Sequence, residues 1–267
     1  MPDVSISEQR IQTIEADRRK ARSVLYLEGN SDVDIFFAAI GKQAPAGGFL
    51  NDVLVRGLSD SDGGSGSKAV KQLVMLANEL RISNVFGLVD GDGESKGDLA
   101  NGSSGLFRLP VYCAENLLFV RHPKVRSFVP DFDLSRTLKL LAPYAAMSEL
   151  NRAERTKLRE VGLIKLLQPN HSKPLYSNSM MLARLKRIDG SSLGKRYQQH
   201  YAKVLESLDG MSPFTTSAHR KINGKWILGM AKLALPADAR MTLILALCDS
   251  GGVPVIRKFW TSKCANI

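Results

Sequence analysis

Two stretches, Ser23-Val-Leu-Tyr-Leu-Glu-Gly-Asn-Ser-Asp32 and Asn84-Val-Phe-Gly-Leu-Val-Asp-Gly-Asp92, decide how this chain folds. Each is a short apolar run that stops abruptly at an acid. Runs of this length, rich in Val and Leu, read as strands buried on both faces, as in parallel sheets. A carboxylate directly after such a strand cannot stay in the core unpaired. It belongs at the sheet's C-terminal rim, where open α/β sheets hold their ligands. If the two strands are neighbours, Glu28, Asp90 and Asp92 converge. Three carboxylates at one point repel one another unless a cation neutralises them, and an all-oxygen ligand set suits Mg²⁺ or Mn²⁺.

The flanking segments extend the same pattern. Residues 5–22 read as a charged helix with a thin stripe of Ile6, Ile11 and Ile14. The strand Val24–Leu27 is followed by a helix from Asp32 to Ala39, with Asn30 or Ser31 as its N-cap. Val53-Leu54-Val55 is a short strand, and a polar glycine-rich loop over 57–68 leads into a helix from Ala69 to Leu80. That helix sets Val70, Leu73, Leu76 and Leu80 on one face. After the strand Val85–Val89 and a polar loop to Gly105, Leu109–Cys113 reads as a further strand. Strands alternating with helices mark a parallel sheet flanked by helices. From about Pro123 the texture changes: 133–168, 178–209, 224–235 and 238–248 read as helices, the first two dense in Arg and Lys. The expectation is an α/β chain with an N-terminal helix (1–22), a sheet domain (23–122) and a basic, mostly helical C-terminal lobe (123–267).

Charge separates the same parts. The net charge is +11, but residues 121–267 carry 25 Lys/Arg against 10 Asp/Glu, so the first 120 residues are mildly acidic. A polyanion steered by the basic part toward a metal in the acidic part fits this asymmetry, as does a plain solvated basic surface. Arg184, Lys186, Arg187, Lys195 and Arg196, clustered on two helical segments, are the candidate nucleic-acid contacts. With 44% apolar residues, a sizeable core can form, yet no run of eighteen apolar residues suggests a membrane span. The N-terminus lacks the pattern of a signal peptide. Cys113, Cys248 and Cys264 have no metal-ligand spacing and read as reduced thiols of a cytoplasmic protein.

Each acid also has a plainer reading. Glu28 by itself reads more readily as a helix-capping glutamate in an ordinary βα loop, and Gly29 after it permits a sharp turn. Asp32 and Asp34 sit in a first helical turn, where acids favour the dipole, and Asp34 reads as a surface residue. Asp90-Gly91-Asp92 is either an ordinary D-G turn or two carboxylates facing one cation. Glu94 and Asp98 read as solvated. Glu115-Asn116 interrupts the apolar run Val111–Val120, and the lone acid there is a buried ion-pair member or a further ligand. The loop ending Gly66-Ser67-Lys68 lacks the order of a P-loop. His122, His171, His200 and His219 are isolated, with no pair spaced for zinc, and His219 reads as exposed.

Taken together, Leu-Glu28-Gly-Asn-Ser-Asp32 and Val-Asp90-Gly-Asp92 resemble the Toprim domain, the metal-binding fold of topoisomerases, primases and OLD-family nucleases. Cys-Ala-Glu115-Asn-Leu-Leu and Ile222-Asn-Gly-Lys225-Trp are similar to elements of a smaller OLD-like Toprim group. The resemblance implies a Rossmann-like Toprim sheet over residues 20–120 and a Mg²⁺- or Mn²⁺-dependent nuclease. It assigns Glu28 as general acid/base or water-mediated ligand, Asp90 and Asp92 as metal ligands, and Asp32 and Glu115 as further acids of the metal site. Lys225 matches a late lysine that neutralises phosphate. Members of this group resemble anti-phage effectors that act beside an ABC-type ATPase, as in PARIS-type systems, and a homodimer is compatible with that setting. The chain departs from topoisomerases and primases in lacking a tyrosine-bearing cleavage domain and a zinc motif. The rival expectation is a catalytically silent Toprim subunit that docks on an ATPase.

Overall fold

The computed structural model describes residues 5–92, 105–120, 132–160, 169, 175–189, 192–234 and 239–264. Strand β1 (Ser23–Leu27) is the centre of a five-stranded sheet and is buried along its whole length. It pairs in parallel with β3 (Val53–Gly57) on one side and with β4 (Val85–Val89) on the other. Beyond β4, β5 (Leu106–Arg108) adds a further parallel strand, and β2 (Phe49–Leu50) runs antiparallel along β3. The order is therefore β2-β3-β1-β4-β5. The chain steps from β1 to one side and later resumes on the other. Such a reversal opens a crevice beyond the carboxyl ends of the two strands that flank it, here β1 and β4.

The period-2 alternation of a strand explains how the sheet is covered. Val24 and Tyr26 face a cluster with Ile14 of α1 (Ile6–Lys20) and Val70 and Leu73 of α3 (Gly66–Glu79). Leu25 and Leu27 face α2 (Asn30–Ala39) and its Ile35, Phe36 and Phe37. This second cluster continues into the C-terminal half. There α4 (Leu134–Glu160), α5 (Asn178–Asp189), α6 (Ser192–Glu206), α7 (Gly224–Ala234), α8 (Ala239–Asp249) and α9 (Pro254–Phe259) follow in order. Leu138 and Leu141 of α4, Leu228 of α7, Leu243 of α8 and Trp260 belong to the same apolar core as β1. A third cluster joins α4, α5 and α6 through Tyr144, Met147, Met181, Leu185 and Tyr197. The chain is thus α/β, with a mixed, mostly parallel sheet flanked by helices and a helix-rich C-terminal half.

Several boundaries differ from the sequence reading. The last parallel strand is Leu106–Arg108 rather than Leu109–Cys113. The Leu109 N–H still donates to the Val89 carbonyl at 2.8 Å, but Pro110 has no N–H, so the ladder ends there. The chain bends and closes into a 3₁₀ turn over Ala114–Leu118. Helix α2 starts two residues early, so its N-cap is Gly29 and not Asn30 or Ser31; the Asp32 carboxylate accepts from the Gly29 N–H at 3.0 Å. Helix α3 starts at Gly66, and Leu80 lies exposed at its C-cap instead of on the buried face. The two-residue edge strand β2 is too short for periodicity to signal. Glu94, Asp98, His122 and His171 lie outside the described residues, as does the predicted helical stretch 161–168.

Among the described residues no single helix is long and apolar enough to cross a membrane. The bent pair Ala239–Asp249 and Pro254–Cys264, at 64°, reaches that length and composition together. Its Leu243, Leu247, Ile256, Phe259 and Trp260 are packed in the core.

Candidate active site

Glu28 leaves the end of β1 and Asp90 the end of β4, so adjacent strands deliver both acids to the crevice. The two are in direct contact: Glu28 Oε1 accepts from the Asp90 N–H at 2.8 Å. Asp90 Oδ1 in turn accepts from the Ala114 N–H at 3.1 Å, which ties the 3₁₀ turn to the sheet rim. Asp32 stands in the first turn of α2, held through the Gly29 N–H. Glu115 comes from the 3₁₀ turn and is 7% exposed. Its Oε1 lies 3.9 Å from the Lys225 ammonium at the start of α7, while its Oε2 is buried without a hydrogen-bond partner.

Two glycines allow this close packing. A Cβ on Gly91 would lie 2.0 Å from the Val111 carbonyl oxygen, so no side chain fits between Asp90 and Asp92. A Cβ on Gly57, at the end of β3, would lie 2.3 Å from the backbone of Gly29 and Asn30. The tight approach after β1 is thus made by Gly57. Gly29 itself has nothing closer than the Asp32 carboxylate at 3.7 Å. Asp92 takes a left-handed backbone with φ 48°, and its N–H donates to the Tyr112 carbonyl at 2.8 Å.

Glu28, Asp32 and Asp90 line a cavity of about 10 Å³ whose floor is otherwise apolar: Leu27, Phe36, Leu88, Leu109, Ala114 and Leu117. That is about the volume of one water-sized occupant. Burial over this floor pushes the Asp90 carboxyl up to about 9, reinforced by the charges of Glu28, Asp32, Glu115 and Asp92. Burial also raises Glu28, partly offset by the hydrogen bond it accepts, and raises Asp32, with Glu115 adding repulsion. The Lys225 ammonium is stabilised chiefly by Glu115, with burial opposing. Burial is thus the largest cost to the charged acids of the crevice, crowded negative charge adds to it, and Lys225 compensates part of that charge.

The structure brings Glu28, Asp32, Asp90, Glu115 and Lys225 into one electrostatic cluster, with Asp92 at its edge. Among the described residues, however, no group of three or more His, Cys, Asp or Glu side chains is arranged to hold a metal ion. The reason is visible: Glu28 and Asp90 each commit an oxygen to a backbone N–H, and Glu115 leans toward Lys225. The donor chemistry still fits a hard divalent cation. The donors are carboxylate oxygens, one of them orphaned, and mutual repulsion rewards a cation that draws them together.

A second polar centre, absent from the sequence reading, holds this arrangement. Asn116 is fully buried, and its Oδ1 accepts from the Cys113 N–H at 2.9 Å and the Gly224 N–H at 3.0 Å. Its Nδ2 donates to the Ile222 carbonyl at 2.9 Å and to His219 Nδ1 at 3.2 Å. One amide thus ties the turn bearing Glu115 to the helix entry bearing Lys225. His219, expected at the surface, is completely buried; it stacks on Phe119, and its Nε2 donates to the Pro213 carbonyl at 2.8 Å. Burial lowers its pKa to about 4, so the ring is neutral and can accept from Asn116. The signal available in the sequence was Asn116 itself, an amide in an apolar run that needs four partners.

The predicted nucleic-acid contacts lie elsewhere on the chain. Arg184, Lys186 and Arg187 are exposed on α5, and Lys195 and Arg196 are exposed on α6. Arg196 is engaged with Glu154 of α4. Helix α5 packs on α6, α6 on α4, and α4 on α7, whose start carries Lys225. No family model, curated protein or solved structure matches the chain.

Proposed function

We propose that this chain is a Toprim-type, divalent-metal-dependent nuclease. The observation that carries the reading is the contact between Glu28 and Asp90 at the topological switch point, with Asp32, Glu115 and Lys225 around it. The strand order, with parallel neighbours on both sides of β1, is compatible with a Toprim sheet. In this reading Asp90 and Asp92 hold Mg²⁺ or Mn²⁺, with Glu28, Asp32 and Glu115 completing the acidic set. A bound cation supplies Lewis-acid polarisation of a phosphate and a more acidic water.

The chain's own groups supply the rest. Glu28 has one oxygen fixed by the Asp90 N–H and a proton affinity raised by burial, which suits a group that takes up and returns a proton. The Lys225 side chain is 65% exposed, so its ammonium can meet a phosphate while still facing Glu115. The apolar floor lowers the local dielectric and strengthens each of these interactions. The basic helices bind the polyanion backbone. The same reading places the chain among defence effectors controlled by an ABC-type ATPase, which co-purification with such a subunit tests.

The direct assay incubates the chain with plasmid, single-stranded DNA and tRNA, with and without Mg²⁺. Cleavage that requires the cation, and that is lost in Glu28→Gln and Asp90→Ala, supports the nuclease reading. One observation favours a silent docking subunit instead: the carboxylates are not arranged as a metal cage. Under that reading, calorimetry finds no saturable Mg²⁺ or Mn²⁺ binding and no nucleic acid is cut.

A further inference from the structure

Folding uses one apolar stripe of helix α5 and leaves a second stripe, part apolar and part cationic, to solvent. Met181 and Leu185 are buried against the cluster shared with α4 and α6. About a quarter turn away, at roughly 100° per residue, Met180, Arg184 and Arg187 form a second stripe that faces solvent. Met180 is 49% exposed, and Ile188, at the end of the helix, is 41% exposed. Together with Tyr176 and Ala183 these residues line a groove of about 580 Å³, and none of the six is acidic.

The groove is built rather than incidental. The Tyr176 N–H donates to the Tyr144 hydroxyl at 2.9 Å, which anchors it to α4. Its own hydroxyl accepts from Arg184 Nη1 at 2.9 Å, and the guanidinium lies over the ring, 5.8 Å from the centroid. A tyrosine ring, a guanidinium plane and two aliphatic side chains thus share one concave surface with a second arginine.

We infer that this groove binds an unpaired nucleotide of a nucleic-acid strand, the base against Tyr176, Arg184, Met180 and Ile188 and the phosphates at Arg184 and Arg187. The inference rests on the nucleic-acid reading of the basic helices and adds the class of strand. A duplex keeps its bases stacked inside and offers only phosphates, which leaves the apolar half of the groove without a partner. A single strand presents base faces and phosphates together, the combination that aromatic and arginine platforms recognise.

The test is fluorescence anisotropy of the full chain with a labelled oligonucleotide, single-stranded or annealed to its complement, in EDTA so that no cleavage occurs. The single strand should bind more tightly than the duplex. Met180→Ser with Ile188→Ser should weaken single-strand binding about fivefold or more and leave the salt dependence unchanged. Arg184→Gln with Arg187→Gln should lower the log–log salt slope by about 1.4, at roughly 0.7 per lost phosphate contact on a single strand. Lys258→Gln, exposed on α9, should bind like the unmodified chain. The altered positions are exposed, and matching thermal melts verify that each variant is folded. Duplex bound as tightly as single strand, or single-strand affinity untouched by the Met180 and Ile188 changes, overturns the inference. So does displacement of the oligonucleotide from unmodified chain by an acidic amphipathic peptide that binds the groove more tightly. Binding is read without metal, so a chain that binds single strands here but never cuts them sinks the nuclease reading and leaves the groove standing.

Discussion

Replacing Asp90 by Asn should stabilise the metal-free protein, by an amount that depends on pH. Asp90 titrates near 3.8 in an unfolded chain and about 9 in the folded one, because burial and its four acidic neighbours disfavour its charge. At pH 7, about three units above the ordinary value, folding must keep a proton on Asp90 or tolerate its charge. At about 1.4 kcal/mol per unit the ceiling on that penalty is roughly 4 kcal/mol. Asp90 is only partly buried by surface area, and solvent screening halves the figure to about 2 kcal/mol. Because the folded pKa is the higher one, the contribution of Asp90 to stability is complete below about pH 4. It is lost progressively as pH rises toward 9. Asn has no such dependence, and its carbonyl can still accept from the Ala114 N–H. The advantage of Asp90→Asn should therefore be near zero at pH 4 and about 2 kcal/mol at pH 7, a rise in Tm of roughly 4–8 °C for a chain of this size. Thermal melts in EDTA at pH 5 and pH 8 measure it. Adding Mg²⁺ should restore the unmodified protein and leave the variant unmoved. A variant less stable than the parent at pH 8, or equally more stable at both pH values, refutes the repulsion argument.

Glu28→Gln should keep the contact with the Asp90 N–H and most of the cation affinity while losing turnover; cleavage at the parent rate removes Glu28 from acid/base chemistry. Asn116→Ala strands the Cys113 N–H and the Ile222 carbonyl, takes the amide from His219, leaves the Gly224 N–H only Cys113 Sγ at 3.3 Å, and should destabilise by roughly 2–4 kcal/mol in urea melts. A loss under about 0.5 kcal/mol would mean that those groups have other partners. Charge reversal at Arg187 and Arg196 should weaken nucleic-acid binding and flatten its salt dependence without changing cation affinity, and an unchanged slope would reassign these helices to a protein partner. Reversal at Arg196 also opposes Glu154, so single variants are measured alongside.

The sheet was legible because its two central strands are short apolar runs closed abruptly by acids. That pattern also placed Glu28 and Asp90 side by side, since the acids follow paired strands. Helical periodicity likewise placed α7 and α8 within a residue of their observed bounds, whereas the stretch 178–209 is divided between α5 and α6, and α9 left no signal. Three things were not legible. The strand Leu106–Arg108 is short and partly exposed, so Pro110 was read within a strand when it in fact ends the ladder. The partner of Glu115 lies 110 positions along the chain, and distant contacts leave no local periodicity. His219 carries two basic neighbours, Arg220 and Lys221, that suggest exposure, yet its partners Phe119, Asn116 and Pro213 bury it completely. In the last two cases a tertiary contact overrode the local signal.

The account's central claim is that the acids at the ends of β1 and β4 make a cation-dependent phosphodiesterase. Single-turnover cleavage of end-labelled single-stranded DNA and tRNA, across a Mn²⁺ titration, tests it most directly when the parent, Glu28→Gln and Asp90→Ala are run side by side. The account predicts saturable, Mn²⁺-dependent cleavage by the parent, none by Glu28→Gln despite retained Mn²⁺ binding, and neither binding nor cleavage by Asp90→Ala. Cleavage by folded Asp90→Ala at the parent rate, or a parent that binds no Mn²⁺ and cuts neither substrate, would contradict it.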